Sequence, residues 1–253
     1  MLTKSALSFI FWIAFLDVKR RYMRTVFGFS WNTLTFLIFI LALSLVWSKL
    51  WGVDVQTYLP YLASGIVCWN FISNTINDST GSLKEFGALL KDKNIPYEVL
   101  SWIIILRNIY ISLPNVLLVF VINAFLLEPS LTTSLFWLLI CFPAVIYLLN
   151  IVAVCLSYIC LRFPDVRQLV STLMLILIFV TPVLWSMEQI SSRAGDLLLL
   201  NPFVHILDLL RAGLMFEYPH YTSWMFLLGF IPILHVLKVL IRKILKPTLW
   251  IYL

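Results

Sequence analysis

Asp17-Val-Lys-Arg-Arg-Tyr-Met-Arg-Thr-Val-Phe-Gly-Phe-Ser-Trp31 is the stretch whose reading decides the fold. Lys19, Arg20, Arg21 and Arg24 fall within six residues, and the chain then turns predominantly apolar from Ser30 to Val46. A cationic run against the first long apolar segment is a topology signal. Lys and Arg are retained on the cytoplasmic side, and the first helix usually orients the rest. The start of the chain is therefore expected to be cytoplasmic. Ahead of the cluster, the apolar run 6–16 is too short to span. Phe9, Trp12, Ile13 and Leu16 recur at helical spacing, which suits a helix lying in the membrane interface. No small-residue cleavage site follows, so a signal peptide is not expected.

Composition sets the class. The chain has 253 residues, of which 62% are hydrophobic and 12% charged, and its mean hydropathy is +0.98. A soluble domain carries about 25% charged residues, so this is an integral membrane protein with no separate soluble domain. A spanning helix needs roughly 20 apolar residues, which leaves room for about six. The formal charge of +6 sits beside membrane segments, where topology and anionic lipid explain it better than nucleic acid does. Cys68, Cys141, Cys155 and Cys160 lie in apolar runs without metal-ligand spacing and read as buried free thiols.

Spans are expected at about 30–49, 58–77, 102–127, 131–161, 168–186 and 222–241, with the interfacial helix over 5–25, all in one domain covering 1–253. Trp47 and Trp51 mark the far end of the first span. The polar stretch 78–101 carries Phe86, Leu89 and Leu90 on one helical face before Pro96 ends the helix. It reads as an amphipathic coupling helix in a cytoplasmic loop. Pro114 and Asn115 are expected to interrupt and kink span three, and Arg107, near its start, to snorkel to the cytoplasmic face. Residues 187–221 are too polar for a plain span yet hold strong apolar runs on either side of Asn201-Pro202. They read as two short helices dipping into the outer leaflet. Non-helical backbone at that depth needs protein or water to cover it, which makes the segment a candidate lining for a water-filled exit. Counting tests the topology. Five Lys and Arg precede Ser30, four fall in 78–107, two in 162–167 and four in 238–246, which places 15 of 18 inside. Both termini are expected to be cytoplasmic.

Several chemistries are missing from the sequence. No phosphate-binding G-x-x-x-x-G-K-[ST] loop occurs, so the chain is not its own ATPase. His205, His220 and His235 are scattered, and no metal is assigned. Ion-coupled carriers need intramembrane Asp, Glu or His, and the expected spans hold almost none. Transport by this chain would draw its energy from elsewhere. The 19 Phe, 10 Trp and 10 Tyr serve mostly as interfacial belts and core. Trp31, Phe36, Phe39 and Trp47 on span one, with Phe179 and Trp185 on span five, are the candidates for a channel lining that stacks on sugar rings.

The pattern resembles the permease subunit of type-2 ABC exporters, in the branch that moves O-antigen, capsule and teichoic acid. Four stretches carry the resemblance, in order along essentially the whole chain. Asp17 to Arg21, with Arg24, Gly28 and Trp31, is similar to the family's basic interfacial helix and R-x-x-x-G-x-x-W turn. Leu89-Leu90-Lys91, with Asn94-Ile95-Pro96, resembles the loop that docks on the ATPase. Arg162-Phe-Pro-Asp165 resembles an R-x-x-D element, although Pro164 stands where the family often has a basic or polar residue. Thr181-Pro182 and Asn201-Pro202, with Arg211, resemble the end of span five and the periplasmic gate.

The resemblance implies an all-α protein of six transmembrane helices and a non-catalytic role. It further implies a homodimer and two partner ATPase subunits that hold ATP and Mg. Coupling then falls to Glu85, Phe86, Leu89, Leu90, Lys91, Lys93, Asn94 and Pro96, and attraction of the lipid pyrophosphate to Arg20, Arg21 and Arg24. Asn201, Pro202 and Arg211 become the gate, with Gly28, Arg162 and Asp165 as structural motif residues. The expected location is the bacterial inner membrane, and the expected cargo is lipid-linked polysaccharide, O-antigen first. Other cargoes are capsule, teichoic acid or a small molecule. A membrane glycosyltransferase is a different class, and the loop carboxylates Glu85, Asp92 and Glu98 lack the usual spacing for it.

Overall fold

The computed structural model describes residues 4–22, 28, 30–87, 98–127, 131–186, 195 and 197–245. Eight helices and no strand occur among them: α1 (Lys4–Tyr22), α2 (Ser30–Trp51), α3 (Val55–Glu85), α4 (Glu98–Leu126), α5 (Leu131–Arg162), α6 (Asp165–Val180), α7 (Pro202–Met215) and α8 (Tyr221–Leu245). Among the described residues, four segments are long and apolar enough to cross a membrane: α2, α4, Phe136–Arg162 of α5, and α8.

The bundle is arranged around α3. Helices α2, α4, α5, α6 and α7 pack on it, α5 also receives α7 and α8, and α1 lies along α4. The main core joins Ile40 of α2, Leu62, Ile66 and Ile72 of α3, Val145 and Leu149 of α5, and Leu207 of α7. Leu62, Ile66 and the positions between them are buried on every side of α3. Yet α3 is rich in Ser, Thr and Asn. Its hydroxyls turn back onto their own helix: Ser64 to the Pro60 carbonyl (2.7 Å), Thr75 to Phe71 (2.7 Å) and Ser82 to Ser79 (2.9 Å). Back-bonding of this kind lets polar side chains sit inside an apolar cluster without an unmet donor.

Several helix ends differ from expectation. The third helix continues past Asn77 to Glu85. The sixth stops at Val180, and residues 181–186 are non-helical. Thr181 is extended (φ −96°, ψ 144°), the conformation forced on a residue that precedes proline. Pro114 does not interrupt α4, which runs on to Leu126. One missing N–H is tolerated where the surrounding turns keep their bonds. Gly28 takes φ +54° at the turn into α2, a conformation glycine adopts at little cost. All four cysteines are free and buried.

Candidate functional site

Two polar clusters lie near opposite ends of α3, roughly 36 Å apart from Tyr61 to Glu85 at 1.5 Å per residue. The first is built on Arg107 of α4, whose side chain is 0% exposed. Its Nη1 donates to Asp17 Oδ2 of α1 (2.6 Å) and to Glu85 Oε1 of α3 (2.9 Å). Its Nη2 lies 2.9 Å from Asp78 Oδ2, an oxygen that also accepts from Asn108 Nδ2 (3.1 Å). One buried cation thus holds carboxylates from two other helices. Truncating one partner of such a set strands the rest, at a cost of about 3–5 kcal/mol when fully buried. Arg107 was expected to reach the membrane surface. It does not, because α1 and α3 bring three carboxylates to it.

A separate apolar patch draws on the same three helices, α1, α3 and α4, and on α5. Ile10 and Ala14 of α1, Leu83 of α3, Val99 and Ile103 of α4, and Tyr158 of α5 form it, with Phe86, Ile241 and Leu245 packed alongside. Glu98, at the start of α4, pairs with Arg242 of α8 (2.9 Å). The segment 88–97 is therefore flanked by an ion pair on each side.

The second cluster wraps the non-helical stretch 181–186. The Tyr58 hydroxyl donates to the Leu184 carbonyl. The Tyr61 hydroxyl lies between the carbonyls of Trp185 (2.9 Å) and Pro182 (3.2 Å). Arg211 of α7 donates from Nη2 to the Val183 carbonyl (3.3 Å), its guanidinium 4.0 Å from the Tyr61 ring centroid, in cation–π range. Trp185 Nε1 donates to the Phe179 carbonyl (2.9 Å). Backbone released from the helix is met by side chains, as an apolar setting demands.

Asn201 completes this cluster. Its side-chain oxygen caps α7 by accepting from the Phe203 amide (3.0 Å), and its Nδ2 donates to Thr181 Oγ1 (3.1 Å). Pro202 opens α7 at the first helical position, where its missing N–H leaves no bond unmade. At the far end of α7, Asn123 of α4 donates to the Leu214 carbonyl (2.7 Å). Gly65 lies under the Arg211 guanidinium and the Val183 carbonyl, and a Cβ there would stand 2.7 Å from that carbonyl oxygen.

The other expected site residues fall as follows. Arg20 and Arg21 are exposed in the last turn of α1, where positive charge suits a helix C-terminus. Arg24 lies outside the described residues, as do Leu89, Leu90, Lys91, Lys93, Asn94 and Pro96. Glu85 ends α3 and Phe86 caps it. Arg162 lies over the Phe163 ring (5.8 Å). Asp165 opens α6, the favoured end for a carboxylate.

Trp31, Phe39 and Phe179 are exposed, Trp47 and Trp185 half-buried. Phe36 is only 6% exposed. It shares the inward stripe Phe36, Ile40, Ser44 and Ser48 of α2, which turns it into the core of the bundle.

The sequence alone assigns no contact to Tyr58, Tyr61, Gly65, Asp17 or Asp78. Two signals were present. Asp78 and Glu85 are seven apart on one helical face, and Arg107 is a charge in an apolar run that has to find a partner. Among the described residues, no group of three or more His, Cys, Asp or Glu is placed to hold a metal ion. Each cluster ties helices together through polar side chains.

The sequence profile of the ABC-2 type transporter family matches residues 7–215. The chain belongs to that family. The match runs from residue 7 within α1 to the end of α7 and so takes in every residue of both clusters. An O-antigen export system permease protein, RfbA, of Klebsiella pneumoniae is 25% identical over 224 residues, 85% of this chain and 84% of its own length. A second Klebsiella pneumoniae RfbA is 24% identical over 212 residues, 80% of each chain. The Myxococcus xanthus RfbA is 23% identical over 205 residues, 78% of this chain and 76% of its own. In this ABC-2 type protein, the Thr181-Pro182 and Asn201-Pro202 motifs, 20 residues apart in sequence, meet through one side-chain hydrogen bond.

Proposed function

We propose that the chain is the membrane-spanning subunit of an ATP-driven exporter that moves lipid-linked O-antigen across the bacterial inner membrane. The observation that carries this reading is the alignment of O-antigen export permeases along 85% of the chain. In it, α2, α3, α4, α5, α6 with its non-helical extension, and α8 make six spans, with both termini cytoplasmic and α1 in the interface. Two copies form the pathway. Two partner subunits carry ATP and Mg and dock on the loop after Glu85 and Phe86, through Leu89, Leu90, Lys91, Lys93, Asn94 and Pro96. Arg20, Arg21 and Arg24 attract the pyrophosphate of the lipid carrier at the membrane surface. The exposed faces of α2 and α6, with Trp31, Phe39 and Phe179, line the route, and half-buried Trp47 and Trp185 border it. The joint of Asn201, Pro202 and Arg211 with 181–185 forms the gate at the outer end.

The test is deletion of the gene in its host, followed by polysaccharide gels and cell fractionation. Long lipid-linked polymer retained inside, released to the surface by the restored gene, is expected. Loss of all polymer would point to a synthetic enzyme, and unaltered surface polymer would remove O-antigen as the cargo. Charge reversal at Lys91 and Lys93 is expected to cut export while the protein stays in the membrane. Normal export by that variant would exclude the loop as the docking element.

A further inference from the structure

We propose that the groove between the inner halves of α5 and α8 holds one anionic glycerophospholipid of the cytoplasmic leaflet, its phosphate on Lys238 and Arg242. The inference rests on the orientation given above, with the C-terminal end of α8 on the cytoplasmic side. It does not depend on the cargo.

A single charge breaks the inward stripe of α8. Leu227, Ile231, Leu234, Lys238, Ile241 and Leu245 recur at intervals of three and four along one face. The first three pack on the main core, and the last two pack on the apolar patch of α1, α3, α4 and α5. Lys238 falls at the seam between the two. It is half-buried, and close enough to Cys155 of α5 for its charge to act on that thiol. Among the described residues, no hydrogen bond or ion pair engages its ammonium. It stands seven residues before Leu245, about 10 Å along the helix. A cation at that depth needs an anion beside it, and this chain supplies none.

The groove around Lys238 has the chemistry of a lipid. One turn inward, Arg242 is 47% exposed and donates from Nη1 to Glu98 Oε1 (2.9 Å), which leaves most of its five donors open. One turn outward, exposed His235 and Tyr147 of α5 meet across the groove, Nδ1 to hydroxyl, at 3.3 Å. Leu228, His235, Val239 and Arg242 share the exposed flank of α8, apolar toward the outer end and cationic at the inner end. Acyl chains and a headgroup have that same order. Lys238 and Arg242 set against Glu98 leave one net positive charge. A phosphodiester of single negative charge balances it, whereas a zwitterionic lipid brings an ammonium of its own. The cytoplasmic leaflet supplies anionic lipid.

The place of the groove separates this lipid from the cargo. Helix α8 packs on α5 and α7, while the proposed route runs along α2 and α6. Only 6% of the apolar window of α8 is buried, against 17% to 50% in the other three spanning segments. A lipid seated between α8 and α5 therefore adds contact where the protein provides least.

The test is native mass spectrometry of the full-length protein, extracted from membranes with the subunits that accompany it. Phosphatidylglycerol, phosphatidylethanolamine and a polyprenyl pyrophosphate are added in turn. One phosphatidylglycerol per copy should survive stripping of the rest and bind about tenfold more tightly than phosphatidylethanolamine. Lys238→Gln should weaken it about tenfold, the equivalent of one charged hydrogen bond, and Lys238→Arg should retain it. Lys243→Gln, five residues on and on the far side of α8, should stay within twofold of the parent. Phosphatidylglycerol should also raise the melting temperature of the parent and leave that of Lys238→Gln unchanged. Equal binding of the two phospholipids, or equal losses in the Lys238→Gln and Lys243→Gln variants, overturns the proposal. So does preferential retention of the polyprenyl pyrophosphate, which would give the groove to the cargo. The comparison of lipids on the parent stands even where a variant fails to accumulate. A gene deletion that leaves surface polymer unaltered would remove the cargo and leave this site, because binding is read without transport.

Discussion

Gly65→Ala separates the steric role of the Gly65 site from helix propensity. In a free helix the change is favourable by about 1 kcal/mol. Here an added Cβ would stand 2.7 Å from the Val183 carbonyl oxygen and closer still to the Arg211 guanidinium. The guanidinium is the end of a flexible side chain and can swing aside. The carbonyl is backbone, held by Tyr58, Tyr61 and Arg211 acting on its neighbours and itself, and it has to retreat. The retreat breaks the Arg211–Val183 hydrogen bond, about 1.5–3 kcal/mol for a charged donor. Overpacking adds about 1–3 kcal/mol. Set against the propensity gain, the net loss is about 1.5–5 kcal/mol. At roughly 2–4 °C per kcal/mol for a chain of this size, the melting temperature should fall by about 3–20 °C. The buried native cysteines provide the assay: a thiol-reactive coumarin maleimide reads unfolding of the detergent-solubilised protein, with Cys68 one turn from the mutated site. Gly229→Ala is the control, since a Cβ there meets nothing within 4 Å, and it should melt at or above the parent temperature. If both variants match the parent within a degree, the close packing of 181–185 against α3 is wrong.

Two further outcomes are expected from the same measurement. Asn201→Ala removes a helix cap worth about 1–2 kcal/mol and the tie to Thr181, and should lower the melting temperature by roughly 4 °C or more; Asn201→Asp keeps the capping oxygen, exchanges the Nδ2 donor for a negative charge at the helix N-terminus and should fall between. Gly28→Val places a β-branched residue at φ +54°, at a cost of about 1–2 kcal/mol or more. Gly28→Asn should be milder, because Asn tolerates that region and no heavy atom lies within 4 Å of the added Cβ.

Hydropathy made α2, α4, α5 and α8 legible, because lipid-facing helices need long apolar runs and little else. Thr181-Pro182 states where the sixth helix has to break, and only the length of the irregular backbone after it is absent from the sequence. Phe36 was misplaced because four aromatics on α2 look alike until the inward stripe at every fourth residue is known. The two clusters were least legible. Tyr58 reaches a carbonyl 126 positions away, and Arg107 reaches Asp17 across 90. Such pairs exist only once the bundle is packed, and neither Tyr nor a lone Arg announces its partner locally. What the sequence does state is the obligation: a charge within an apolar run, or a proline at the end of a span, has to be met by something.

The back-bonded hydroxyls of α3 bear on how the protein is made. This helix is not apolar enough to be held by lipid alone, although most of the bundle packs against it. As the second of the six proposed spans, it has to be held in the bilayer by neighbours that arrive later in synthesis: α4 and α5 for its flanks, α7 for its Tyr61 face. During translation α3 would then wait beside the translocon until about residue 215 has emerged. A ribosome stalled ahead of that point should leave this one segment accessible to glycosylation or protease while α2 is already protected. The order of burial during biogenesis would follow tertiary contacts, and not the order of the chain.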